Sequence, residues 1–226
     1  MAKMTNKPAW FSLLLICVMS ASTSGCAGVG WLVNQFAPPK KVDAVYTIPK
    51  DKKVLIFVDD LLNPVSYEQV KADLSARLAK QLTDNKVANE IIPHDKLLDL
   101  MSATPNFNNL AVGKVGQKLG ADIVLYVQIE KFQLKDADVT QLWKGRLETS
   151  VRVIDVNNGK LWPTDRPGYP VKPVETKDED NPSPTYGSEL SKNLADMMAD
   201  KIAKLFYKHE VPVKEETAPP PTQDEN

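Results

Sequence analysis

Hydrophobic and polar positions alternate along this chain with two periods, and the change of period marks out its elements. Val54 to Val58 in "KKVLIFVDD" is a β-branched and aromatic run, which reads as a short strand buried on both faces. In "NPVSYEQVKADLSARLAKQLTDN", Val70, Leu74, Leu78 and Leu82 recur every four residues, one stripe of an amphipathic helix. Ser66 and Gln69 fit a capping box at its start, and Asn85 ends it. A second strand is expected near Val87 to Ile92, followed by a helical turn or two in "DKLLDLMS". Leu110, Val112, Val115 and Leu119 approach helical spacing, with Gly120 where a C-cap glycine belongs.

"ADIVLYVQIEKFQL" reads as a long strand, apolar throughout at first, in which Val127 and Ile129 then alternate with Gln128 and Glu130. "QLWKGRLETSVRVIDV" is another, with Leu147, Thr149, Val151 and Val153 opposing Arg146, Glu148, Ser150 and Arg152. "NNG" at Asn157 to Gly159 predicts a type I′ hairpin turn, and "KLW" returns as a stub. Residues 163–187 hold six prolines and the acidic run "ETKDED", which predicts an exposed loop with a solvated charge cluster. A final helix carries Leu190, Leu194, Met197, Met198, Lys201, Ile202, Leu205 and Phe206 on its core stripe. The tail from Val211, with three consecutive prolines, is expected to be disordered. The fold class this order predicts is mixed α/β: one domain, a three-layer-like sheet with flanking helices.

The N-terminus follows a different logic. Lys3 and Lys7 precede the apolar run Trp10–Ala21, and small residues come next, the three parts of a secretory signal. At 12 residues the run is shorter than the roughly 20 a membrane span needs. The chain has two cysteines, Cys17 inside that run and Cys26 after Thr23-Ser24-Gly25. The latter segment resembles the bacterial lipobox, in which small residues precede a cysteine that is acylated and becomes the first residue. Thr23 stands where that pattern prefers leucine, and ordinary cleavage nearby, for instance after Ala27, is the competing reading. Once residues 1–25 are removed, Cys26 is the only cysteine, so no disulfide forms within one subunit. The expected organisation is a signal over 1–25, a lipidated tether over 26–50, the α/β domain over 51–210 and the tail over 211–226. The tether, with Trp31, Leu32, Val33 and Phe36, has an alternative as the first ordered segment of the domain.

Charge then excludes one function class. There are 28 basic and 29 acidic residues; without Lys3 and Lys7, 26 cations face 29 carboxylates, a net charge of −3. With no basic stripe, nucleic-acid binding is not expected. Catalytic signals are thin. The two histidines, His94 at a strand end and His209 at a helix end, have no cysteine or histidine at ligand spacing, so neither a metal nor a cofactor is expected. Asp59-Asp60 is the best carboxylate pair, at the carboxyl end of the first strand, where open α/β sheets place ligands. Neighbouring strand residues point to opposite faces, so the two do not converge. "GKVGQKLG" fits neither GxGxxG nor the Walker pattern, and Gly113 and Gly116 read as close-packing positions inside a helix. An enzyme is not expected, and no catalytic residue is assigned.

"LGADIVLYVQI" resembles the "lGAd.vl.g.i" segment of the TolB N-terminal-like fold, and "VIDVNNGKLW" resembles its "l.D..tG.v.w" hairpin. That fold is shared by CsgG-type secretion lipoproteins, penicillin-binding-protein activators and small envelope lipoproteins, and the resemblance spans about Lys52 to Tyr207. It implies a non-enzymatic lipoprotein of the bacterial envelope, held at a membrane by acyl chains (palmitate among them) on Cys26. The domain then serves as a periplasmic binding or scaffold module for an assembly, secretion or transport complex. Ala27 after the cysteine resembles the outer-membrane sorting pattern of enteric bacteria. The partners implied are the membrane, an envelope protein and, as one option, further copies of the same chain. Rival implications are an activator of a cell-wall synthase and a ring-forming secretion component. CsgG-type pores insert amphipathic hairpins of alternating apolar residues, a pattern the proline-rich 163–187 insertion lacks.

Overall fold

The computed structural model describes residues 40–60, 65, 67–135, 142–177, 179–180 and 185–211. The signal, Cys26, most of the tether, Ser66 and the tail lie outside the described residues. Two compact units are distinguished, one over Asp43–His209 and one over Met1–Val42 with Glu210–Asn226. Of the second, the described part belongs to a two-stranded ribbon, β1 (Lys40–Val42) with β10 (His209–Val211).

The larger unit runs β2 (Lys53–Asp59), α1 (Gln69–Asp84), β3 (Glu90–Ile92), α2 (His94–Ala103), α3 (Val112–Lys118), β4 (Ile123–Gln133), β5 (Leu142–Trp143), β6 (Arg146–Asp155), β7 (Gly159–Trp162), β8 (Tyr169–Glu175), β9 (Glu179–Asp180) and α4 (Tyr186–Ala203). Its main sheet has the order β3-β2-β4-β6-β7, with β8 also paired to β6. β3, β2 and β4 are parallel, whereas β4 to β6 and beyond is antiparallel. Helices lie on both faces, and the sheet does not close into a barrel. The expected α/β class, with a sheet flanked by helices, is what the chain adopts.

Each face has its own core. α1 and α4 pack over Val54, Ile56, Val58, Leu125, Val127, Ile129, Leu147, Val151 and Val153. α2 and α3 pack over Leu55, Phe57, Val124 and Tyr126. The helix stripes follow the sequence: Val70, Leu74, Leu78 and Leu82 are fully buried. On α4, Leu190, Leu194, Met198 and Ile202 are buried, but Met197 is 41% exposed, because the buried stripe continues to the following residue at each turn (Ala195, Ala199, Ala203) and leaves Met197 on its solvent side. Lys201 keeps its stem along α4 and places its ammonium 2.9 Å from the Pro173 carbonyl. α3 closes as expected with Gly120 at φ +70°. The Ala121 N–H donates to the Gly116 carbonyl (2.9 Å) and the Gly120 N–H to that of Gln117, a Schellman end.

Several expectations need correction. Residues 163–187 are not one exposed loop. Tyr169–Glu175 is a strand on β6 with Val171 and Val174 buried, and Glu179–Asp180 pairs with Leu142–Trp143. Pro170 and Pro173 fit there because β8 is an edge strand, where a missing N–H breaks no ladder. The hairpin after β6 is not type I′, since Gly159 alone has positive φ (+88°). The turn is instead held by the Asp155 carboxylate, which accepts the N–H groups of Asn157 and Asn158, with Gly159 in register opposite Asp155. α2 is a ten-residue helix rather than a turn or two. His209 sits in β10, beyond the end of α4 at Ala203, so it faces no helix dipole. The body also starts before residue 51: Ile48 is buried, and the Val45 and Tyr46 N–H groups donate to the Leu205 carbonyl. For the capping box, the Gln69 side chain reaches Asp73, one turn on.

Candidate functional site

The carboxyl end of β2 is the place where a parallel sheet would present a ligand site, and here it is filled. Asp59 and Asp60 diverge, as strand geometry requires. Asp59 turns to the α2–α3 face and accepts a short hydrogen bond from the Tyr126 hydroxyl. Burial first, and then the Asp59 carboxylate, push the Tyr126 hydroxyl well above its ordinary range, so it stays protonated and donating. Asp60 turns the other way, accepting from Lys71 Nζ at 2.8 Å and the Val65 N–H at 3.0 Å. Burial alone would raise the Asp60 pKa, but Lys71 and that N–H outweigh it and the carboxyl is held below its usual range. Two carboxylates with separate occupations do not make an acid–base pair.

His94 opens α2 directly after Pro93, and its Nδ1 is buried with no hydrogen-bond partner among the described residues. Burial lowers its pKa, and the nearby Lys71 charge lowers it further against the opposing pull of Asp95. Among the described residues, no group of three His, Cys, Asp or Glu side chains is placed to hold a metal ion. No helix of the described residues is long and apolar enough to cross a membrane. Gly116 is a close-packing position: a Cβ there would meet Val124 Cγ2 and Val156 Cγ1 at 2.6 Å each. Gly113 is not one, its nearest neighbour being the Val156 carbonyl at 3.6 Å.

The open surface lies elsewhere. Pairing between β2 and β4 stops at Asp59↔Gln128, while β4 and β6 continue together to Gln133↔Arg146. On the α2–α3 side, the covered positions Val124 and Tyr126 in β4 give way to Gln128 and Glu130. On β6, Ile154 gives way to Arg152, Ser150 and Glu148. Among the described residues, the helices therefore cover only the lower half of this face, and the upper half is polar, bare of helices and half-exposed. Arg166, Pro167 and Gly168, in the stretch between β7 and β8, rise beside it and complete a groove of about 640 Å³.

Arg152 occupies the boundary between the covered and bare halves. Its guanidinium lies 4.4 Å from the Tyr126 ring centroid and donates to Gln128 Oε1 at 3.2 Å. Tyr126 is fixed in turn by Phe57, edge-on at 5.5 Å, and by Asp59. A smaller cavity of about 400 Å³ lies between Tyr67, Phe132 and Trp143, with the Lys135 ammonium 4.9 Å above the Trp143 ring. The alternation in β4 and β6 was enough to place Gln128, Ser150 and Arg152 on a wet face. Which stretch of that face the helices leave bare depends on the lengths of α2 and α3, and for that reason Arg152 did not stand out as a site residue.

No family model matches this chain, and no curated protein matches it. Among solved structures, it is similar to the PelC dodecamer from Paraburkholderia phytofirmans (14% identity over 75% of this chain and 98% of that one, TM-score 0.37). It is also similar to lipoprotein GNA1162 from Neisseria meningitidis (13%, 66% and 98%, TM-score 0.41). A third is a minor lipoprotein from Acinetobacter baumannii (15%, 68% and 90%, TM-score 0.36). Likenesses this weak carry neither assembly nor partner across to this chain.

Proposed function

We propose that this protein is a non-enzymatic lipoprotein of the bacterial envelope, acylated on Cys26, whose α/β domain is a binding or scaffold module presented at the periplasmic face of the outer membrane. The observation that carries the binding role is the bare upper half of the β4–β6–β8 face. A sheet face of this size is normally solvated or covered, and this one holds a formed groove. The carboxylates at the strand ends, which an enzyme of this architecture would use, are engaged in structural bonds. The lipobox-like segment before Cys26 supports the anchor, since two or more buried acyl chains give stable membrane attachment where one does not.

Intact-mass analysis of the N-terminal peptide, wild type against Cys26→Ser, tests the anchor. A diacylglyceryl mass on Cys26, absent from the variant, supports it, and an unmodified N-terminus cut elsewhere removes it. For the module, a photo-crosslinker at Ser150, on the bare half, should join the protein to one specific envelope partner. The same group on exposed Lys80 of α1 should not. Equal yields from both positions would remove the binding face.

A further inference from the structure

Among the described residues, Glu148 and Arg166 each have an oppositely charged partner, whereas Glu130 and Arg152 have neutral ones. Glu148 pairs with Arg146 Nε at 2.6 Å, and Arg166 pairs with Asp165 at 2.6 Å. Glu130 accepts from the Ser150 hydroxyl at 2.6 Å. Arg152 forms no ion pair among the described residues. Its partners are the neutral Gln128 amide and the π face of Tyr126, and it reaches a carboxylate, that of Asp59, only through the Tyr126 hydroxyl. Those partners hold the guanidinium in the groove lining, and the fork has further donors beside the one given to Gln128. A half-buried cation held rigidly in this way has already lost part of its hydration and side-chain freedom, which are the two costs that weaken an exposed ion pair.

We propose that the groove is a carboxylate-recognising dock and that Arg152 is its anchor, taking an aspartate or glutamate side chain from an extended segment of a protein partner. The inference rests on the reading of the bare sheet half as a binding face. Three features select this ligand. A planar carboxylate matches the guanidinium fork with two parallel hydrogen bonds. Glu130 and Glu148 flank the groove, so a phosphate dianion would meet more repulsion than a single carboxylate. Pro170 and Pro173 remove N–H donors from the β8 wall, so side-chain recognition is favoured over strand addition along it.

The test follows the arginine Nε–H resonances of the ¹⁵N-labelled full chain during titration with an extended peptide carrying a single glutamate, its glutamine counterpart and inorganic phosphate. The Arg152 signal should shift saturably with the acidic peptide, with a Kd of about 1 mM or tighter. It should not shift with the glutamine peptide, and the effect should weaken with salt. Arg152→Lys, which keeps the charge and loses the fork, should raise Kd at least tenfold, and Arg152→Gln should abolish binding. The backbone amide spectra of both variants should match wild type away from Tyr126 and Gln128, the two side chains that Arg152 touches. The proposal is overturned by the absence of a saturable shift, by binding that survives Arg152→Gln, or by tighter binding of phosphate than of the acidic peptide. It is also overturned if the Ser150 crosslink to the partner persists in Arg152→Gln, an outcome that leaves the binding face standing without this anchor.

Discussion

Two glycines three residues apart on α3 should respond to the same substitution with opposite signs. At Gly116, a Cβ would stand 2.6 Å from Val124 Cγ2 and 2.6 Å from Val156 Cγ1. Carbon atoms in contact prefer about 3.5–4.0 Å, so each side is short by roughly 1 Å. Val124 cannot withdraw, because its strand is pinned between β2 and β6 through pairing with Leu55 and Ile154. Valine also has few χ1 alternatives. The helix must therefore lift off the sheet. Overpacking of this kind costs about 1–3 kcal/mol, and exchanging glycine for alanine in a helix returns up to about 1 kcal/mol. Gly116→Ala should then destabilise by about 1–2 kcal/mol. At Gly113 the new methyl would meet only the Val156 carbonyl at 3.6 Å, ordinary contact, so the conformational gain stands alone. Gly113→Ala should stabilise by about 0.5–1 kcal/mol. Urea unfolding followed by tryptophan fluorescence would read both as midpoint shifts in opposite directions at unchanged slope. Val156→Ala should relieve part of the Gly116→Ala cost in a double-mutant cycle. A Gly116→Ala protein as stable as wild type would refute the reading of α3 as seated at its closest approach to the sheet.

Two further predictions use groups of known local geometry. His94 is held below its ordinary value of 6.5 in the folded chain, so the unfolded chain binds more protons near that pH. Its contribution is therefore fully present above about pH 6.5 and declines as the pH falls toward the folded-state pKa. Urea midpoints compared at neutral pH and about pH 5.5 should show this loss in wild type and a smaller one in His94→Gln. Lys86 takes φ +56° immediately after the α1 C-cap Asn85, with the Val87 N–H bonded to the Leu82 carbonyl, a position that favours glycine. Lys86→Gly should raise stability by about 0.5–1 kcal/mol in the same assay, after the entropy cost of glycine is deducted.

Periodicity proved a good guide wherever one face of an element is buried. The four-residue stripe of α1 and the two-residue alternation of β6 appear in the structure residue for residue. It failed where a pattern is cut short or where burial is set by position in the sheet. Ile48 ends a short period-two pattern, Val42, Ala44, Tyr46 and Ile48 being less exposed than the residues between them, and Pro49 cuts it off before it reads as a strand. Pro170 and Pro173 argued against a strand, and only the edge position of β8, a property of the sheet order, makes them acceptable. "NNG" signalled a hairpin correctly, yet the turn type was decided by the Asp155 side chain capturing two N–H groups. The same limit applies to the candidate site. The divergence of Asp59 and Asp60 follows from strand geometry alone, but the importance of Arg152 depends on which neighbours carry compensating charges, and those come from distant parts of the chain.

The position of the bare face follows from a mismatch in strand length. β2 has seven residues and β4 eleven, so β4 outruns its parallel neighbour by several residues and must pair elsewhere. β6, with ten residues, accompanies it, and β8 lines the far side of β6, which extends the sheet past the carboxyl end of β2 as an antiparallel platform. Antiparallel platforms tolerate water on one side, and the sequence of this one provides alternating polar residues to meet it. α1 and α4 are long enough, at sixteen and eighteen residues, to follow the platform on its other side, whereas α2 and α3, at ten and seven, are not. The usual ligand position of a parallel sheet is consequently occupied by the bonds that tie β2 to β4 and α1. The accessible chemistry moves outward to the platform, where Arg152 stands at the last covered ring.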